Sequence, residues 1–151
     1  MSSGGDRAWY DRATLALADA GYRRGGARQA VLELLDTQLC AHSAVEIEEL
    51  LRQRAPARRR VSRASIYRIL DELETLGLVS RLELGQGVIR FEAVRGEGGH
   101  HHHMVCDLCG TLTPFTDPEL ERAIEGLSQR VALRVSEHEV VLHGACSDCS
   151  P

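Results

Sequence analysis

An α+β chain is predicted: an N-terminal winged helix-turn-helix, then a small α/β zinc-containing domain. Three observations predict it. A series of amphipathic runs ends in a strongly patterned one over 62–77, directly before an alternating hairpin. A glycine-rich stretch, Arg95-Gly-Glu-Gly-Gly99, then breaks the pattern. Beyond it, two Cys-x-x-Cys pairs frame a short strand–helix–strand stretch.

The elements follow in order. Residues 8–20 form a short amphipathic run ending at Gly21. Residues 27–36 place Val31, Leu34 and Leu35 at helical spacing. Ser43 reads as an N-cap for the next helix, with Glu46 at the capping-box position. That helix stops before Ala55-Pro56, because the residue preceding proline disfavours the helical region. In the run over 62–77, Ile66, Ile69, Leu70, Leu73 and Leu76 define one apolar face, and Gly77 is a natural stop. Leu78–Leu84 and Val88–Val94 alternate around Gly-Gln-Gly and read as a hairpin, the wing. The domains are therefore 1–94, a hinge over 95–99, and 100–151. In the last, residues 100–115 read as two short strands around a cysteine knuckle. Asp117-Pro118 opens a helix to about Ala132, with proline at its first position. Residues 134–146 alternate as a strand. A domain this small usually needs a metal or a partner subunit.

Composition excludes several classes. With 43% hydrophobic and 26% charged residues, the 151-residue chain is globular. It has no apolar run approaching the ~18 residues of a membrane span. Its N-terminus has no apolar core of a secretory signal. A cytoplasmic location is expected. Aromatic residues at 4% argue against a single-strand stacking platform. The chain has no lysine. The net charge of −4 hides an asymmetry: 15 arginines against 13 acids up to residue 95, then 3 against 9. Seven arginines and no acid lie between Leu50 and Leu70, at 52, 54, 58, 59, 60, 63 and 68. A local basic stretch on an acidic protein points to a placed polyanion contact.

Cys106, Cys109, Cys146 and Cys149 match a tetrahedral four-thiolate zinc site, closed to substrate and so structural. The fifth cysteine, Cys40, reads as a buried residue at an apolar helix end. His100, His101, His102 and His103 run toward Cys106. In a strand, His100 and His102 face one way and His101 and His103 the other, so one stretch can serve two metal sites. Glu121 and His138 in the second domain, and Glu92 at the wing's end, are available to complete them. His143 reads as structural.

Ala27-Arg-Gln-Ala-Val-Leu-Glu-Leu-Leu35, Ser43–Leu51, Val61–Val79, Phe91-Glu92, His100–Gly110 and His143–Cys149 occur in this order. That order resembles the ferric uptake regulator (Fur) family of metal-dependent repressors, from Gly21 to Cys149. The resemblance implies that Ser65, Tyr67 and Arg68, with Arg63 beside them, contact DNA from the recognition helix. Arg23 and Arg28 fall at minor-groove and phosphate positions. It implies a site within the dimerisation domain at His100, His102, Glu121 and His138, and a regulatory hinge site at Glu92, His101 and His103. His42 is the candidate for a further hinge ligand, one position later than the family's usual histidine; ligand and helix-start neighbour both stay open. The hinge is longer than usual for the family, and the cysteine that zinc-sensing members often carry there is missing.

The function expected is a homodimeric, metal-corepressed DNA-binding repressor of metal-uptake genes on palindromic operators. The corepressor is iron(II) or zinc: Glu92 without a thiolate leans to iron, the all-imidazole run to zinc. A nickel-, manganese- or peroxide-sensing member of the same family is the alternative. A zinc-ribbon interaction module without DNA binding is the alternative from another class, and the arginine stretch argues against it. An enzyme is not expected, since no nucleophile–base pairing or phosphate-cradling loop is present.

Overall fold

The computed structural model describes residues 7–54, 60–96 and 100–150. Arg58, Arg59 and the centre of the expected hinge, residues 97–99, lie outside the described residues. The chain divides into two compact units, 1–99 and 100–151.

The first unit holds helices α1 (Arg7–Asp19), α2 (Gly26–Thr37), α3 (Ala44–Arg54) and α4 (Arg63–Thr75), then strands β1 (Val79–Glu83) and β2 (Ile89–Ala93). The strands pair antiparallel from Val79↔Ala93 to Glu83↔Ile89. Local chemistry sets the boundaries. Ser43 Oγ accepts from the Glu46 N–H at 3.2 Å, and Glu46 Oε2 accepts from the Ser43 N–H at 2.7 Å, which is the capping box. Ser62 caps α4 by accepting the Ser65 N–H at 3.2 Å. The helix ends where Gly77 turns to φ +68°, with Leu78 N–H on Leu73 O and Gly77 N–H on Glu74 O, both at 2.9 Å.

The core of this unit follows the 3.6-residue pattern. Leu34 and Leu35 of α2, Ile47 of α3, and Ile66, Ile69, Leu70 and Leu73 of α4 are all buried, together with Trp9 and Phe91. The Trp9 indole donates to Leu78 O at 2.9 Å and ties α1 to the start of the wing. Two arginines fasten the wing's far end: Arg12 donates to Val94 O, and Arg95 Nη2 donates to the carbonyls of Leu35 (3.0 Å), Asp36 (2.6 Å) and Gln38 (2.9 Å). The glycine-rich segment thus opens on a residue anchored to the end of α2.

The second unit contains β3 (His102–Cys106), β4 (Leu112–Phe115), α5 (Pro118–Arg130) and β5 (Val141–Gly144), with sheet order β4-β3-β5. Strand β3 is antiparallel to β4 and parallel to β5. Asp117 Oδ1 caps α5, accepting from the N–H groups of Glu119 (2.8 Å) and Leu120 (3.3 Å). The strand expected over 134–146 is shorter: only 141–144 enter the sheet. Ladder pairing with β3 begins at His103↔Val141, with Val140 O accepting from the His103 N–H at 3.0 Å, and among the described residues 134–139 pair with no strand. The interior of this unit is thin. Val105 and Cys106 are its only buried apolar residues among those described, and α5 buries none.

Candidate metal centres and nucleic-acid interface

Antiparallel β3–β4 forms the first cysteine knuckle, and the parallel return of β5 delivers the second. The Asp107 N–H donates to Gly144 O at 2.8 Å, and the Cys146 N–H donates to Cys106 Sγ at 3.4 Å. The thiols of Cys106, Cys109, Cys146 and Cys149 lie within 4.8 Å of one another, with Cys109 and Cys146 at 3.7 Å. A tetrahedral ion with bonds of about 2.3 Å to sulfur separates its ligands by about 3.8 Å. The charges also fit a cation. Backbone N–H groups of Cys146 and Cys109 pull Cys106 down to about 6, while the sulfurs of Cys109 and Cys146 push Cys149 up to about 12. Four such groups ionise together only around a positive charge. The Cys109 sulfur also lies 3.1 Å from Thr111 Oγ1, a neighbour that sequence spacing does not reveal.

The histidine run splits between two faces, as alternation predicts. On one, the donor atoms of His100, His102, Glu121 and His138 lie within 4.8 Å of one another. His102 Nε2 is 2.7 Å from Glu121 Oε1, His138 Nε2 is 2.9 Å from Glu121 Oε2, and the His100 and His138 Nε2 atoms are 3.1 Å apart. Glu121 is held below its ordinary 4.5, first by the hydrogen bond from His102 and then by the neighbouring His138 and His100. His102 is fully buried, and the Val140 N–H donates to its Nδ1 at 3.2 Å, which turns Nε2 toward Glu121. Three imidazoles and a carboxylate converging from β3 and the residues just before it, α5 and the segment before β5 fit a divalent ion of borderline hardness. On the other face, the His101 and His103 rings are 4.9 Å apart, and His103 Nδ1 lies 3.5 Å from Glu139. His143 Nδ1 lies 3.0 Å from Asp107 Oδ1, with both side chains about half exposed.

Glu92 and His42 belong to the first unit. An isolated antiparallel bridge joins His42 to Phe91, with N–H···O distances of 3.0 and 2.8 Å, and lays the loop after α2 beside β2. The His42 ring is occupied locally: Nε2 is 3.0 Å from Gln38 Oε1, and Nδ1 is 4.0 Å from Glu46. Burial lowers its pKa, against the opposing pull of the Glu46 carboxylate. Cys40 differs from the sequence expectation. It lies beyond α2, in the loop, and is half-buried rather than buried in an apolar helix end. Its sulfur is within 4.8 Å of a Glu92 carboxylate oxygen.

Helix α4 buries Ile66, Ile69, Leu70 and Leu73 and exposes Arg63, Tyr67 and Arg68, with Ser65 half-buried. Tyr67 is 46% exposed, high for an aromatic without a functional reason to face water. Arg63 is held by Glu48, with Nη2–Oε2 at 2.6 Å. Arg23 is exposed, whereas Arg28 is mostly buried, with Nη2 2.5 Å from Glu72 and its guanidinium 5.4 Å over Tyr22. Glu48 and Glu72 carry no signal in the sequence, because fold contacts select them.

A winged helix joined to a unit that gathers four thiols and a separate His/Glu cluster defines a metal-dependent transcription regulator. The chain belongs to the ferric uptake regulator family, which matches residues 19–143. It is 31% identical over 134 residues to the ferric uptake regulation protein of Neisseria meningitidis, covering 88% of this chain and 90% of that one. It is also 31% identical over 133 residues to that of Legionella pneumophila, covering 88% and 95%. Among solved structures, the Helicobacter pylori ferric uptake regulator, described as having three functional metal-binding sites, superposes with a TM-score of 0.80 at 26% identity. The match covers 95% of this chain and 93% of that one. The Vibrio cholerae regulator superposes at 0.73 and 28% identity, covering 87% and 98%.

Proposed function

We propose that this protein is a cytoplasmic, homodimeric repressor that binds palindromic DNA operators when loaded with a divalent corepressor, iron(II) or zinc, and controls metal-uptake genes. It is not an enzyme. The carrying observation is the solvent-facing Tyr67 and Arg68 on a helix whose opposite face is the core of its unit. A helix so placed enters a major groove, with arginines holding register on phosphates.

The four cysteines hold a structural zinc, and His100, His102, Glu121 and His138 hold a second ion. Glu92, His101 and His103 hold the regulatory ion, with His42 the candidate further donor. Glu92 precedes the hinge in the chain and the two histidines follow it, so one ion on all three restricts the hinge. In a dimer, that sets the spacing of two recognition helices. The metal acts through its greater affinity for the DNA-competent arrangement.

The dimer reading rests on the second unit. Leu127, Val131, Leu133 and Leu142 are each about half exposed or more, at 49%, 55%, 63% and 46%. A second copy covering them removes that apolar surface from water.

Selection from a randomised duplex pool tests the proposal. The zinc- or iron(II)-loaded protein should enrich inverted repeats that chelator-treated protein does not. Tyr67→Ala/Arg68→Ala should lose them with metal content unchanged. Equal enrichment by that variant would overturn the assignment of the DNA-reading helix.

A further inference from the structure

We infer that Cys40 supplies a thiolate to the regulatory ion beside Glu92, in the place where the resemblance points to His42. The inference rests on the reading of Glu92 as a regulatory ligand, and it changes the donor set of that site from nitrogen and oxygen to one containing sulfur.

Three observations within the first unit carry it. First, the Cys40 sulfur and a Glu92 carboxylate oxygen lie within 4.8 Å of each other. One tetrahedral ion holding both separates them by about 3.6 Å, which lies inside that limit. Second, the loop bearing Cys40 is fixed on both sides. Arg95 holds Gln38 O at 2.9 Å, and the paired hydrogen bonds of His42 with Phe91 hold the other side, one residue from Glu92. Cys40 is therefore positioned against β2 by backbone contacts, not by a chance rotamer. Third, the His42 ring is turned to other partners. It bonds Gln38 and faces Glu46, whose carboxylate is already engaged by the Ser43 N–H and by Arg90 at 2.7 Å. Ligation through His42 Nε2 would break the Gln38 bond, whereas among the described residues Cys40 has no hydrogen bond to give up.

Cys40 is also the one cysteine of the five outside the four-thiol cluster. On ligation its thiol releases a proton to solvent and the thiolate binds the ion. A thiolate among imidazoles and a carboxylate favours zinc over iron(II), because sulfur is the softer donor.

Cobalt(II) and alkylation test this on the full-length protein with zinc in the four-cysteine site. Cobalt added beyond that zinc should produce thiolate-to-cobalt charge-transfer absorption in wild type. His42→Ala should keep it. Cys40→Ser should lose it, with its zinc retained and its affinity for the added ion lowered at least about 10–100-fold, the loss typical of even outer-shell changes. In wild type, filling the site should also protect Cys40 from iodoacetamide, read by peptide mass, with no substitution needed. Unchanged charge-transfer absorption in Cys40→Ser, or an unchanged alkylation rate with the site filled, would overturn the inference. Glu92→Ala and His101→Ala/His103→Ala separate the two readings. If these variants lose the ion and Cys40→Ser does not, the Cys40 assignment alone fails. If they bind as wild type does, the regulatory site itself is misplaced and the inference falls with it.

Discussion

Glu46 shows how one side chain can serve two contacts and how to separate them. Its carboxylate completes the cap of α3 through the Ser43 N–H and pairs with Arg90 of the wing. Burial alone would raise its pKa; the Ser43 N–H and Arg90 outweigh that and hold it below 4.5. A carboxyl lowered by folding contributes stability above its unfolded value, and the contribution is lost as pH falls through the folded value. Glutamine keeps the capping geometry but has no charge to titrate. Urea midpoints of wild type and Glu46→Gln should therefore differ most near neutrality and converge on acidification below about 4.5. A difference that stays constant from pH 7 to pH 4 would mean that the ion pair contributes nothing. Ser43→Ala removes the other half of the cap and should cost about 1 kcal/mol at any pH in that range.

Among the elements, α4 divides its labour by face, and the division predicts opposite results for neighbouring residues. Leu70 is fully buried, so Leu70→Ala leaves a cavity and should cost about 2–5 kcal/mol in a thermal or denaturant melt. Tyr67 is half exposed, and Tyr67→Ala should stay within about 0.5 kcal/mol. If Tyr67→Ala destabilises as much as Leu70→Ala, that side chain packs rather than reads. This face was legible from sequence, because the spacing of Ile66, Ile69, Leu70 and Leu73 fixes which residues turn away. The helix starts at Ser43 and Asp117 were legible for the same reason: their capping partners lie two or three residues on. The two-faced histidine run followed from strand alternation, and Glu121 and His138 were in reach as donors. Illegible were contacts set by tertiary approach, such as Glu72 on Arg28, Glu48 on Arg63, and Arg95 on three carbonyls. Cys40 looked like a helix-end residue because its apolar neighbours suggested more helix than the chain builds. The strand read over 134–146 overshot because alternation shows which side a residue faces, not whether a neighbour exists to bond it.

At the scale of the whole molecule, the two units are stabilised differently. The first has a continuous apolar core from Trp9 to Phe91. Among its described residues the second has Val105 and Cys106 as its buried apolar residues, a helix with none, and several half-exposed aliphatics. Burial at about 25 cal/mol per Å² cannot hold fifty residues on so little interior. On the proposed reading, its order comes from ions and from a second copy, and the two are coupled. The knuckle at Cys106 and Cys109 joins the end of β3 to β4, while Cys146 and Cys149 follow β5. One ion on all four ties the ends of β3 and β5 together, and on the proposed reading dimerisation depends on that tie. Cys106→Ser should therefore lose zinc and dimerisation together. Sedimentation should fall to the monomer mass, and hydrogen exchange should show residues 100–150 unprotected while the buried segments of α2 and α4 stay protected. A metal-free Cys106→Ser protein that still sediments as a dimer, with β3 and β5 protected, would show that the apolar face assembles without the ion and that the cluster has another purpose.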